Sequence, residues 1–120
     1  MAQTWLICGG RDFADPVLFL QTMRELVRLR KMPVRIVHGG AHGADTMADN
    51  WARDWCLEVI RCPADWERLG RKAGPMRNEQ MLVDHKPDLV VAFPGGRGTA
   101  DMVKRAKAAG VHVIIVGGPQ

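Results

Sequence analysis

No apolar run in these 120 residues approaches the length of a membrane span, and Met1-Ala2-Gln3-Thr4 lacks the basic start of a secretory signal. The expected setting is therefore the cytoplasm, with no membrane partner. Cysteine is scarce: Cys8, Cys56 and Cys62 are odd in number and show neither C-x-x-C spacing nor an adjacent His pair. Neither a disulfide framework nor a zinc site is indicated, and all three are expected as reduced thiols. Two glycine signatures are missing as well. No G-x-G-x-x-G follows the first strand and no G-K-[ST] occurs, which disfavours nicotinamide and P-loop chemistry and leaves no cofactor expected.

What the chain does have is glycine in a particular place. Trp5–Cys8, Val34–Val37, Leu57–Arg61, Asp88–Phe93 and Val111–Val116 read as buried strands. Helices are expected between them, from Pro16 to about Arg30, Ala44 to Cys56, Gly74 to about His85, and Thr99 to Ala109. Asp15-Pro16 supplies an N-cap and a first-turn proline, while Pro33, Pro63 and Pro87 end elements. Apolar strands alternating with helices describe a parallel sheet covered on both faces. The expected fold is α/β: one Rossmann-like domain over residues 1–120, with about five mainly parallel strands. Ten of the 13 glycines (Gly9, Gly10, Gly39, Gly40, Gly43, Gly95, Gly96, Gly98, Gly117 and Gly118) follow a predicted strand, at the edge where such sheets bind ligands.

Pro94-Gly95-Gly96-Arg97-Gly98-Thr99 carries the strongest signal. A buried strand that turns through glycines into a helix brings bare N–H groups and the positive end of a helix dipole together, an arrangement suited to phosphate. His38-Gly39-Gly40-Ala41-His42-Gly43-Ala44-Asp45 repeats the arrangement, and Gly9-Gly10-Arg11-Asp12 adds a third turn. A net charge of +4 is compatible with an anionic ligand but is spread along the chain.

Those turns, with Pro63-Ala64-Asp65-Trp66 and Gly74-Pro75-Met76-Arg77-Asn78-Glu79-Gln80-Met81, resemble the YspA-like branch of the SLOG superfamily, to which the Smf DNA-processing proteins and the Lonely Guy phosphoribohydrolases also belong. The resemblance implies phosphate binding at Gly39, Gly40, Gly95, Gly96, Gly98 and Thr99, with Arg77 as a ligand-contacting arginine. The hydrolases' motif reads P-G-G-x-G-T-x-x-E. Here its last position is Met102, and the neighbouring carboxylate, Asp101, is turned about 100° around the helix. Arg77 and Asp101 are thus the catalytic candidates of a chain without the family's Glu.

The remaining candidates are read from their positions. Arg11 has a long cationic side chain on the binding edge. Asp45 and Asp12 either complement a helix dipole or accept from ribose hydroxyls. Trp66, in an expected loop, is either a packing anchor or a base-stacking platform with Asp65 reading an N–H edge. His38 is expected to donate to the ligand rather than to bind metal with His42, and no metal site is expected. Gly43, Asn78, Pro94 and Arg97 complete the ligand-binding set, while Trp51 and Trp55 are assigned to the core.

Binding or sensing of a nucleoside monophosphate or ADP-ribose-like ligand is the leading expectation. A phosphoribohydrolase-type activity, with Asp101 or Asp45 replacing the Glu, is the first alternative. A Smf-type nucleic-acid module using Arg68, Arg71, Lys72, Arg97, Lys104, Arg105 and Lys107 is the second; it is disfavoured because no aromatic series interleaves those residues. The oligomeric state is not readable from the residues; the resemblance to hydrolases that associate as dimers implies that the segment Met76 to Met81 could form a homodimer contact.

Overall fold

Alternate residues of the first strand leave for opposite sides of one sheet, and that alternation builds the two halves of the core. In β1 (Thr4–Cys8), Trp5 and Ile7 join one cluster with Phe19, Met23, Ile36, Trp51 and Val91. Leu6 joins another with Val37, Met81, Leu82, Val90, Met102 and Ala106. The computed structural model describes residues 2–117, so Gly118 lies outside the described residues.

After β1 come α1 (Pro16–Arg30), β2 (Arg35–His38), α2 (Ala44–Asp54), β3 (Glu58–Arg61) and the short α3 (Trp66–Leu69). A 3-10 turn at Gly70–Lys72 leads to α4 (Ala73–His85), β4 (Leu89–Ala92), α5 (Arg97–Ala108) and β5 (His112–Ile115). The five strands form one all-parallel sheet in the order β3-β2-β1-β4-β5. The protein is therefore a Rossmann-like α/β fold. Strand order reverses between β1 and β4, and the loops leaving those two strands part to opposite faces, which opens a crevice at their carboxyl ends. Among the described residues no helix is long and apolar enough to cross a membrane.

Local chemistry explains the ends of the elements. The Asp15 carboxylate accepts the Leu18 amide at 3.0 Å, and Pro16 needs no donor at the first helical position. The buried stripe of α1 is Phe19, Met23 and Leu26; Leu20, one residue on from Phe19, lies beyond its edge and is exposed.

Three sequence expectations need correction. Trp55 is 57% exposed, because α2 ends at Asp54 and the chain turns off through Cys56 at φ +57° before the helical stripe can carry Trp55 inward. Trp51 is only 7% exposed and stacks on Trp5 with ring centroids 6.5 Å apart. Trp66 opens α3 rather than lying in a loop, because the Asp65 side chain caps that helix by accepting the Arg68 amide at 3.2 Å. Finally, α5 starts at Arg97, two residues earlier than expected, with Gly96 as its N-cap.

Candidate functional site

The carboxyl edge of the sheet holds a cleft of about 1300 Å3. It gathers turns distant in sequence: Gly9, Gly10 and Arg11 after β1, Gly39 and Gly40 after β2, and Pro94 to Thr99 after β4. Asp45 from α2, Trp66 from α3, and Arg77 and Asn78 from α4 complete the walls. Four expected residues do not line it: His38, Gly43, Asp65 and Asp101.

Gly10 is where three turns meet. Its amide donates to the Pro94 carbonyl at 2.9 Å, and its own carbonyl accepts from Phe13 at 3.1 Å and Ala44 at 3.5 Å. A Cβ at Gly10 would stand 3.0 Å from the Gly95 Cα, and one at Gly43, where φ is +75°, would overlap the Gly10 carbonyl. Gly43 thus serves close backbone approach instead of ligand contact.

The turns after β4 and β2 differ in chemistry although both are glycine-rich. At the start of α5 no side chain caps the helix, and among the described residues the amides of Arg97, Gly98 and Thr99 have no backbone partner. Nothing lies within 4 Å of where a Cβ would stand on Gly96 or Gly98. Those amides open into the cleft at the positive end of a helix dipole. Asn78 fixes this end by donating to the Gly98 carbonyl at 3.1 Å and to Asp101 Oδ2 at 2.9 Å.

After β2 the amides are already used. Gly40 donates to His38 Nδ1 at 3.0 Å and Ala41 to Asp45 Oδ2 at 3.1 Å. The space beside the glycines is occupied too: a Cβ at Gly39 would overlap the Arg77 guanidinium, and one at Gly40 would stand 2.8 Å from Arg61 Nε. The expectation of a second backbone phosphate nest at Gly39-Gly40 is corrected accordingly, since an anion at this turn meets guanidinium groups in place of amides. Arg61, at the end of β3, lines the cleft and was missed by the sequence reading; its only signal was a cation at the last position of a predicted strand.

Arg77 is half-buried. Its Nη1 donates to the Gly39 carbonyl at 2.7 Å and the Cys62 carbonyl at 3.3 Å, and its Nε donates to Asn78 Oδ1 at 3.1 Å. Burial lowers its pKa from the ordinary guanidinium value, with the Asp45 charge opposing. Asp45 is itself buried, and desolvation raises its carboxyl above the ordinary range despite the Ala41 amide and the Arg77 charge. Burial, and then Asp45, push the Cys8 thiol upward, so Cys8 is no thiolate nucleophile.

Four roles change against this geometry. His38 is buried, with Nε2 3.0 Å from Asp49 Oδ2 and Nδ1 accepting from Gly40, so it braces the turn and does not donate to the cleft. Asp65 is occupied as the α3 cap. Met102, at the motif position of the hydrolases' Glu, is fully buried among Leu6, Val37 and Val90, because it falls in the second turn of α5 on the face against the sheet, and it does not line the cleft. Asp101 is held by Asn78 and by Arg105 Nε at 2.8 Å, outside the cleft lining.

A parallel sheet with a glycine-lined cleft at its switch point defines the Rossmann-like class of α/β domains. The sequence profile of the YspA, cpYpsA-related SLOG family matches residues 6–69, and the chain belongs to that family. It is 37% identical over 119 residues to the Gene 61 protein of Mycobacterium phage D29, covering 93% of this chain and 94% of that one. Among solved structures it is similar to a UDP-N-acetylglucosamine 2-epimerase, with a TM-score of 0.59 and 15% identity over 96% of this chain. The chain spans only 31% of that epimerase, and the likeness is one of fold.

Proposed function

We propose that the protein binds a phosphate-bearing nucleotide derivative at the carboxyl edge of its sheet, with the phosphate on the α5 N-terminus. The observation that carries this reading is the set of unpartnered amides at Arg97, Gly98 and Thr99, open to the cleft and unobstructed beside Gly96 and Gly98. Arg97 and Arg11 add charge to the cleft lining, and the half-exposed Trp66 lines it as well, an aromatic surface for a base. Family membership and the Rossmann-like fold both fit a nucleotide-related role.

Binding is favoured over glycosidic hydrolysis because the position matching the hydrolases' carboxylate is a buried methionine and Asp101 is tied up elsewhere. Mass spectrometry of small molecules released from freshly purified protein names the ligand. Gly96→Val then tests the site: the open surroundings leave room for the side chain, and the branched group covers the amides. The expected result is loss of nucleotide binding in calorimetry with the fold retained by circular dichroism. Unchanged affinity would refute the assignment.

A further inference from the structure

Arg61 and Arg77 converge on one dipeptide from different elements. Arg77 lies against Gly39 and Arg61 against Gly40, each guanidinium in the space a side chain on that glycine would need. Among the described residues neither takes part in an ion pair. The Nε and Nη1 of Arg77 are spent on protein acceptors, and its Nη2 has no protein partner among the described residues. Arg61 makes no side-chain hydrogen bond there, although its register partner His38 leads directly into the turn. Two cations therefore stand against adjacent glycines on the wall of a cleft, neither of them in an ion pair among the described residues; the half-buried Arg77 feels the buried Asp45 carboxyl nearby but makes no contact pair with it, and a poorly compensated buried charge is costly.

A bound anion resolves that cost, and it cannot be the one on α5. The turn after β2 and the turn after β4 are separated by β1, so they stand two strand spacings apart, about 10 Å. The two phosphates of a diphosphate are directly linked and too close together to occupy both places. A ribose between two phosphates separates them far enough for one to approach the α5 amides and the other the arginine pair.

We propose that Arg61 and Arg77 form a second anion subsite, and that the ligand is a nucleotide derivative with two separated anionic groups, of the nucleoside bisphosphate kind. This rests on the reading that a nucleotide phosphate occupies the α5 N-terminus. Arg61 is then the residue that sets specificity between one anionic group and two, through bidentate charge-assisted hydrogen bonds.

The test compares 5′-monophosphates with 3′,5′-bisphosphates of adenosine, guanosine, cytidine and uridine by calorimetry, using the whole chain and its Arg61→Gln and Arg61→Lys variants. Arg61 is exposed at a strand end, and circular dichroism checks that both variants fold. For at least one base the native protein should prefer the bisphosphate by about tenfold or more, a preference that Arg61→Gln reduces to within about threefold and Arg61→Lys partly retains. Equal affinity for the two ligands in the native protein overturns the second subsite and leaves the nucleotide reading standing. A bisphosphate preference that survives Arg61→Gln overturns the assignment to Arg61. Failure of every nucleotide to bind removes the nucleotide reading, and this inference with it.

Discussion

His38 Nδ1 accepts the Gly40 amide at 3.0 Å while Nε2 lies 3.0 Å from the Asp49 carboxylate. A ring that accepts at Nδ1 must donate at Nε2, which fixes one tautomer of a neutral imidazole. Asp49 is in turn bonded to Arg53. The backbone after β2 is thus anchored to the outer face of α2 through a single buried ring. His38→Phe keeps a planar aromatic ring, one ring atom larger, but leaves the Gly40 amide and Asp49 without this partner. A loss of about 2–3 kcal/mol is expected in urea unfolding. His42→Phe, at an exposed position in the same loop, should change stability by less than about 0.5 kcal/mol. Equal effects at the two sites would mean that His38 is not a brace.

The two tryptophans of α2 should separate just as sharply. Trp51→Ala removes a ring stacked on Trp5 and should cost about 3–5 kcal/mol, whereas Trp55→Ala should cost less than about 1 kcal/mol. Chemical denaturation of the two variants side by side measures the difference. A large loss at Trp55 would place that ring in a contact the monomer does not contain.

Asp45 carries a pH dependence opposite to that of a salt-bridged carboxylate. Because desolvation raises its folded pKa, the native state holds the proton more tightly than the unfolded chain. Its contribution to stability is fully present below the ordinary carboxylate value and is lost as pH rises through the raised one. Asp45→Asn should therefore gain stability relative to the native protein as pH rises above the ordinary carboxylate range, seen as a growing difference in urea midpoints. A difference that shrinks with pH would mean that the carboxylate is stabilised as an anion.

Met102→Glu offers no route to the hydrolases' chemistry. The carboxylate would enter a cluster of Leu6, Val37 and Val90 without a partner, and destabilisation of about 3–5 kcal/mol is expected. Thermal unfolding checks this directly. A stable variant that releases free base from a nucleotide would put position 102 back in the site.

The strands and the Asp15-Pro16 helix start were legible because the information is local: apolar runs, a cap and a proline. So was the edge that bears the cleft, since glycines after parallel strands have one place to gather. The pairing of β1 with β4 was not legible, because it joins residues over 80 positions apart. For the same reason Arg61 could not be assigned to the cleft: only its position above Gly40 distinguishes it from any exposed arginine. Met102 and Asp101 were read from a motif offset, and an offset does not tell which face of α5 lies against the sheet.

The junction at Gly10 has a consequence for how this domain can diversify. With the turns after β1, β2 and β4 bound to one another through a single glycine, lengthening any of them disturbs the other two. The segment from Pro63 to Lys72 has no such tie to Gly10. Variation among relatives is therefore to be sought in the length and sequence of that wall more than in the three turns that meet at Gly10.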